Sequence, residues 1–231
     1  MAVQGPPPRY RGTPNAYTLN ARERLWRVHS RCYEAEQFNP QHSDEHFGGG
    51  RFDGTEAHPY SYYYAGEAET TALAEVFLRD DLRFNEWGYR VLPRNAVRGR
   101  RISAVETARP LTLVSLRTGP DLAAAALSAW LVQGGAAYGA SRAIAHWLRK
   151  HATWAHGLIW TSTIDLGAAS IVLFKDRCGD GALRELKSQA IDLDGEAGAR
   201  WLNDMLAPYH TQIRPPRRRQ DDDPAGSGMR P

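Results

Sequence analysis

The chain is short of cysteine, of long apolar runs and of net charge, and each shortage closes a class of function. Cys32 and Cys178 are the only two cysteines among 231 residues. Without a CxxC spacing they make neither a disulfide framework nor a cysteine-rich zinc site, and they read as ordinary reduced thiols. No apolar run approaches the roughly 20 residues needed to cross a bilayer, and MAVQGPPPRYRGTPNAY lacks the apolar middle of a signal peptide. A cytoplasmic protein with no membrane partner is the expectation. Net charge is only +3. The densest basic run, RPPRRR at 214–219, is followed by Asp221, Asp222 and Asp223. That pattern suits a solvated tail better than a nucleic-acid stripe, so direct nucleic-acid binding is not expected.

Several catalytic signatures are missing too. His42 and His46 in HSDEH have i, i+4 spacing, but three glycines follow them and no HExxH is present, so the segment reads as a loop and not as a zinc helix. His146, His151 and His156 recur every five residues, which keeps them off a common helical face. No metal is expected. GGGRFDG lacks the lysine and Ser/Thr of a P-loop. Ser162 in LIWTSTID has no GxSxG turn before it, which argues against a hydrolase nucleophile.

What is present is an average globular composition, 42% hydrophobic and 24% charged, in a chain long enough for one sizeable core. Residues 1–20 read as a flexible proline-rich start, 21–213 as a single domain and 214–231 as a disordered charged tail. Strands are expected at 25–29, 60–64, 89–92, 101–105, 111–116, 158–162 and 170–174. Helices are expected at 67–82, 122–131 and 141–150, with a last one through ARWLNDML capped by Asp194. Strands and helices mixed without a βαβ repeat predict an α+β fold, a mixed β-sheet core with flanking helices.

The candidate site residues are polar groups in apolar or glycine-rich surroundings. On a helix over 67–82, Ala72, Val76 and Phe77 share one face, while Glu75 falls on a stripe with Thr71, Leu78 and Leu82. A carboxylate on such a stripe is either a structural acid paired with arginine or a site acid facing a cleft. Arg27 lies inside LWRVH and Arg51 follows three glycines. Either guanidinium could grip a phosphate or carboxylate with two prongs, or serve as a structural salt bridge. Ser162 ends an apolar strand, and Tyr62, Tyr63 and Tyr64 form an aromatic strand preceding Glu75.

Taken in order, LWRVH with Arg27, GGGRFDG with Arg51, YYYAGEAETTALAEVF with Tyr64 and Glu75, and LIWTSTIDLGAASIVLF with Ser162 resemble the RES-domain family, over about residues 22–178. The resemblance implies a fold similar to the ADP-ribosyltransferase toxins of the diphtheria-toxin type. It also implies a toxin of a toxin–antitoxin pair that takes NAD as substrate, without a prosthetic group. Such toxins cleave the nicotinamide bond by hydrolysis, or by phosphorolysis with inorganic phosphate. The partners it implies are NAD, an Xre-like helix-turn-helix antitoxin and, as a further option, a second copy of the chain. Transfer of ADP-ribose to a macromolecule is the alternative activity, and a non-catalytic binding module the alternative class. By the same resemblance Arg27 and Arg51 hold the pyrophosphate or ribose, and Tyr64 stacks on the nicotinamide with Tyr62 in reserve. Glu75 is the principal catalytic residue, and Ser162 lines the pocket. That set suits the chemistry, because breaking the glycosidic bond builds positive charge on the ribose that a carboxylate stabilises.

Overall fold

The computed structural model describes residues 8–79, 82–131 and 138–213. The charged tail at 214–231 and the RPPRRR run lie outside them. In chain order the strands are β1 (Ala16–Leu19), β2 (Arg24–Ser30), β3 (Tyr62–Gly66), β4 (Arg90–Leu92), β5 (Arg100–Thr107), β6 (Leu111–Leu116), β7 (Gly157–Thr161), β8 (Ala169–Phe174), β9 (Leu183–Asp192) and β10 (Thr211–Ile213). The helices are α1 (Glu69–Phe77), α2 (Gly119–Ala124), α3 (Tyr138–His151), α4 (Lys175–Cys178) and α5 (Glu196–Leu206). Eight strands form one mixed sheet in the order β1-β6-β7-β8-β3-β2-β5-β9, and β10 pairs with β4 in a small second sheet.

Strand alternation sorts the core. Tyr62, Leu158, Trp160, Val172 and Phe174 pack with Ile144 and Leu148 of α3 on one face. Tyr63, Ile159, Ile171 and Leu173 pack with Leu19, Leu25, Leu111 and Leu113 on the other. Burial on both faces is why LIW and IVLF read as unbroken apolar runs. A third cluster lies where α1 and α5 cover β2 and β5, with Trp26, Leu73, Phe77, Ile102, Leu202 and Leu206.

Four expectations are corrected. The start of the chain is not flexible throughout: β1 pairs with β6 from Ala16↔Val114 to Leu19↔Leu111, and Leu19 is buried. A four-residue edge strand with one fully buried side chain leaves little pattern beside so many prolines. The helix foreseen over 67–82 is the shorter α1, where the Leu78 N–H closes on the Ala74 carbonyl. Instead of a helix at 122–131 there is α2, started by a capping box between Thr118 and Asp121 with Pro120 in the first turn. It is stopped by Ala126 at φ 55°, and only a 3-10 turn at Ala129–Leu131 follows. Asp194 does not cap α5. Gly195 stands at that position, and the Asp194 carboxylate instead accepts from the Gly99 N–H at 2.8 Å and pairs with Arg31 at 3.0 Å.

The site is created at one seam. β2 runs alongside β5 from Arg24↔Glu106 to Ser30↔Arg100, and β3 alongside β8 from Tyr62↔Phe174 to Gly66↔Ser170. Yet β2 and β3 pair only at Trp26↔Gly66. Beyond that pair they part, and Asn39 takes over the edge of β3 by exchanging backbone hydrogen bonds with Tyr62 at 2.8 and 3.1 Å. Gly66 lets α1 start tightly on this seam, since a Cβ there would lie 2.8 Å from the Ala72 nitrogen.

Glycine contacts give a stability test. A Cβ on Gly157 would stand 2.0 Å from the Val172 carbonyl oxygen, whereas one on Gly119 meets nothing within 4 Å. Urea unfolding of Gly157→Ala should show a loss of about 1–3 kcal/mol or more from overpacking. Gly119→Ala should be unchanged or gain a few tenths of a kcal/mol, roughly, from reduced chain entropy. Equal stabilities for the two variants would contradict this packing.

Candidate active site

The parted strands enclose a cavity of about 500 Å³, walled by β2, β3, α1 and the loop between β2 and β3. Arg27, Tyr62, Tyr64 and Glu75 all line it. Two of the expected site residues do not. Ser162 is 1% exposed and lies behind the wall, while Arg51 is half-buried on the β2–β3 loop, next to the lining residues Gly49 and Gly50 but not among them.

Glu75 is half-buried, and its stripe neighbours Thr71 and Leu78 are buried, as the helical spacing requires. Val76 is different: it is 39% exposed and turned to the cavity, not packed with Ala72 and Phe77. The Glu75 Oε1 accepts hydrogen bonds from the Ser162 hydroxyl at 2.8 Å and the Ser170 hydroxyl at 3.3 Å. Ser162 Oγ also accepts from the backbone N–H groups of Ile164 at 3.2 Å and Asp165 at 3.0 Å. Its one donor and both lone pairs are therefore spent, which corrects its expected role as pocket lining. Ser162 orients the carboxylate from behind.

The same turn is tied to the first turn of α1. The Asp165 carboxylate accepts from the hydroxyls of Thr71 at 2.6 Å, Thr70 at 2.9 Å and Tyr209 at 2.6 Å. Burial raises the Asp165 pKa, but these hydroxyls outweigh it and hold the carboxyl below its ordinary value. Helix α1 and the β7–β8 turn are thereby locked together, and Glu75 is held in register with Ser162.

Tyr62 and Tyr64 project to the same side, rings edge to face at 5.5 Å, and Tyr63 points the other way into the core. Tyr62 Oη accepts from the Asn39 amide at 2.9 Å and Tyr64 Oη from the Phe52 N–H at 2.8 Å. Burial, reinforced by the Asp53 carboxylate, pushes both phenols well up, so both stay protonated at neutral pH. Arg27 Nη1 donates to the Ala35 carbonyl at 3.4 Å and to that of Gln37, with the guanidinium 4.5 Å over the Tyr63 ring. Arg79 and Arg100 are two further arginines of the lining, Arg79 donating from Nε to the Glu75 carbonyl at 2.5 Å. A cleft with several guanidinium groups, an aromatic floor and one oriented carboxylate can hold a phosphorylated ligand and stabilise positive charge beside it.

Ser170, Asp53 and His29 are among the lining residues that the sequence reading does not single out. Ser170 is a single hydroxyl inside SIVLF. Asp53 is the one acid of GGGRFDG, where the glycines and Arg51 draw attention first. His29 ends LWRVH, its Nδ1 2.9 Å from the Ser30 carbonyl and its Nε2 2.9 Å from the Ser103 hydroxyl. This fixes the neutral tautomer with the proton on Nδ1. Among the described residues no His, Cys, Asp or Glu cluster of three or more could hold a metal ion, and no helix is long and apolar enough to cross a membrane.

The chain is an α+β protein with a curled mixed sheet, flanking helices and a cleft at its central seam, consistent with an ADP-ribosyltransferase-like fold. The RES-domain family matches residues 24–195, and the chain belongs to that family. A chain of the crystal structure of the M. tuberculosis MbcT–MbcA toxin–antitoxin complex shares the fold, with a TM-score of 0.53 at 16% identity, over 76% of this chain and 86% of that one. No curated protein matches the chain.

Two outcomes follow from this geometry. Ser162→Ala strips the acceptor from two backbone N–H groups and a donor from Glu75, so denaturant unfolding should show a loss of about 1–3 kcal/mol. A wild-type midpoint would contradict the network. Burial, then the Arg27 charge, lowers the His29 pKa from 6.5. Its stabilising effect is therefore complete above about pH 6.5 and is lost as pH falls, because the unfolded chain takes up the proton first. Unfolding measured from pH 7 downward should be less acid-sensitive in His29→Gln.

Proposed function

We propose that the protein is an NAD-consuming enzyme that cleaves the nicotinamide glycosidic bond by hydrolysis or phosphorolysis, acting in the cytoplasm as the toxin of a toxin–antitoxin pair. The observation that carries this reading is the Glu75 carboxylate, oriented by Ser162 and Ser170 over a cleft whose lining also includes Tyr62, Tyr64 and Arg27. As nicotinamide leaves, the ribose takes on oxocarbenium character and Glu75 stabilises the charge at C1′. Arg27, joined by Arg51 from the β2–β3 loop, neutralises the diphosphate. Tyr64, less buried than Tyr62, offers its ring to the pyridinium by stacking and cation–π attraction. Ser162 acts through Glu75.

Likeness in fold to a chain of a toxin–antitoxin complex supports an antitoxin partner for this chain; the Xre-like helix-turn-helix kind is the part of the proposal that rests on the family resemblance. The acceptor of ADP-ribose is water or phosphate in this reading, and a macromolecule in the alternative.

Incubation of purified protein with NAD, with and without inorganic phosphate, and chromatography of the products tests both. Nicotinamide should appear with free ADP-ribose or its phosphorylated form, and Glu75→Gln should lower turnover by about 100-fold or more. Full activity in Glu75→Gln would sink the mechanism. Label from NAD transferred to protein or nucleic acid in a lysate, without free ADP-ribose, would favour the macromolecular acceptor.

A further inference from the structure

The glycine-rich loop that borders the cleft is gripped from two sides. From outside, Arg142 of α3 donates to four of its carbonyls, Gly50 at 3.1 Å, Phe47 at 3.3 Å, Asp44 and Gly48. Arg142 is 2% exposed, and none of the salt bridges among the described residues includes it. A buried guanidinium without an acid partner is costly unless its N–H groups are all engaged. Here the rigid fork of donors matches a loop folded to present its carbonyls.

From inside, Asp53 Oδ2 accepts from the Gly50 N–H and the Ser43 hydroxyl, both at 2.6 Å. Asp53 is 2% exposed, and its second oxygen, Oδ1, is buried without a hydrogen-bond partner among the described residues. Gly48 and Gly49 take positive φ, 58° and 65°. A Cβ on Gly49 would lie 2.2 Å from Ser43 Oγ, 2.6 Å from Asp53 Oδ2 and 3.0 Å from Arg142 Nη2. One on Gly50 would lie 2.8 Å from the Tyr64 hydroxyl. The two arms of the grip therefore converge on Gly49 and Gly50, which line the cleft.

We propose that Arg142 and Asp53 are positioning residues that hold the glycine-rich loop against Tyr64 as a preformed wall of the NAD cleft. They set affinity for NAD and leave the rate of bond cleavage to Glu75. This rests on the NAD reading above. A loop ordered before the ligand arrives spares binding the entropy of ordering it.

The test combines NAD kinetics with amide hydrogen exchange on the full chain. Arg142→Met keeps the aliphatic stem and removes the donors. Its KM for NAD should rise about ten-fold with kcat within about two-fold, and amides at 44–50 should exchange faster while those of α1 stay protected. Arg142→Lys, which offers donors but not the fork, should fall between Met and wild type. If Arg142→Met does not fold, Gly49→Ala breaks the grip from the Asp53 side and should give the same KM rise and the same loop exposure. Slow exchange over 44–50 in the folded variant, or a loss of kcat at unchanged KM, overturns the proposal. Absence of NAD turnover in the wild type would instead overturn the NAD reading, and loop exchange in the variants would still decide whether the grip exists.

Discussion

The architecture depends on a sheet that is nearly unzipped at one place. With β2 and β3 joined only at Trp26↔Gly66, the backbone groups beyond that pair need other partners, and the loop between the two strands supplies them. Asn39 pairs with Tyr62, and the Ala35 carbonyl accepts from both the Tyr63 hydroxyl and Arg27. The loop is thus a wedge that keeps the strands apart while satisfying them. The gap becomes a cleft because both of its walls are independently rigid: β2 is fastened to β5, and β3 to β8.

Within that cleft the chemistry is concentrated on one carboxylate, and the rest of the network serves its orientation. Glu75 comes from α1, Ser162 from the end of β7 and Ser170 from the start of β8, three segments brought together by the antiparallel β7–β8 pairing and by Asp165 across the threonines of α1. Both hydroxyl donors reach the same carboxylate oxygen, Glu75 Oε1. None of the salt bridges among the described residues includes this acid, so hydroxyl groups hold it in place.

Much of this was legible in the sequence, and the misses have physical reasons. The alternation of Tyr62, Tyr63 and Tyr64 and the apolar stripe beside Glu75 are local patterns, so strand and helix geometry read them correctly. Arg27, Tyr62, Tyr64 and Glu75 do come to one cavity. Ser162 was recognised, but its depth depends on how the β7–β8 turn folds back on α1, a contact 87 residues apart in the chain. Ser170, Asp53 and His29 carry no periodic signal at all; each is a single polar residue whose meaning comes from a neighbour elsewhere. Among the elements, β1, β9 and β10 were missed because each carries only a few buried side chains. The α2 start is readable from Thr118, Pro120 and Asp121, a capping box with proline in the first turn.

The outermost strands have a consequence beyond the cleft. β1 offers only four residues, and β9 carries Arg184, Glu185 and Lys187 along an edge where Arg184 pairs with Glu106 and Arg101 with Asp192. Short length at one end and alternating charge at the other are the features that keep an open sheet from recruiting a further strand. An eight-stranded sheet with such borders disfavours edge-to-edge aggregation, which turns association between copies toward other faces of the molecule.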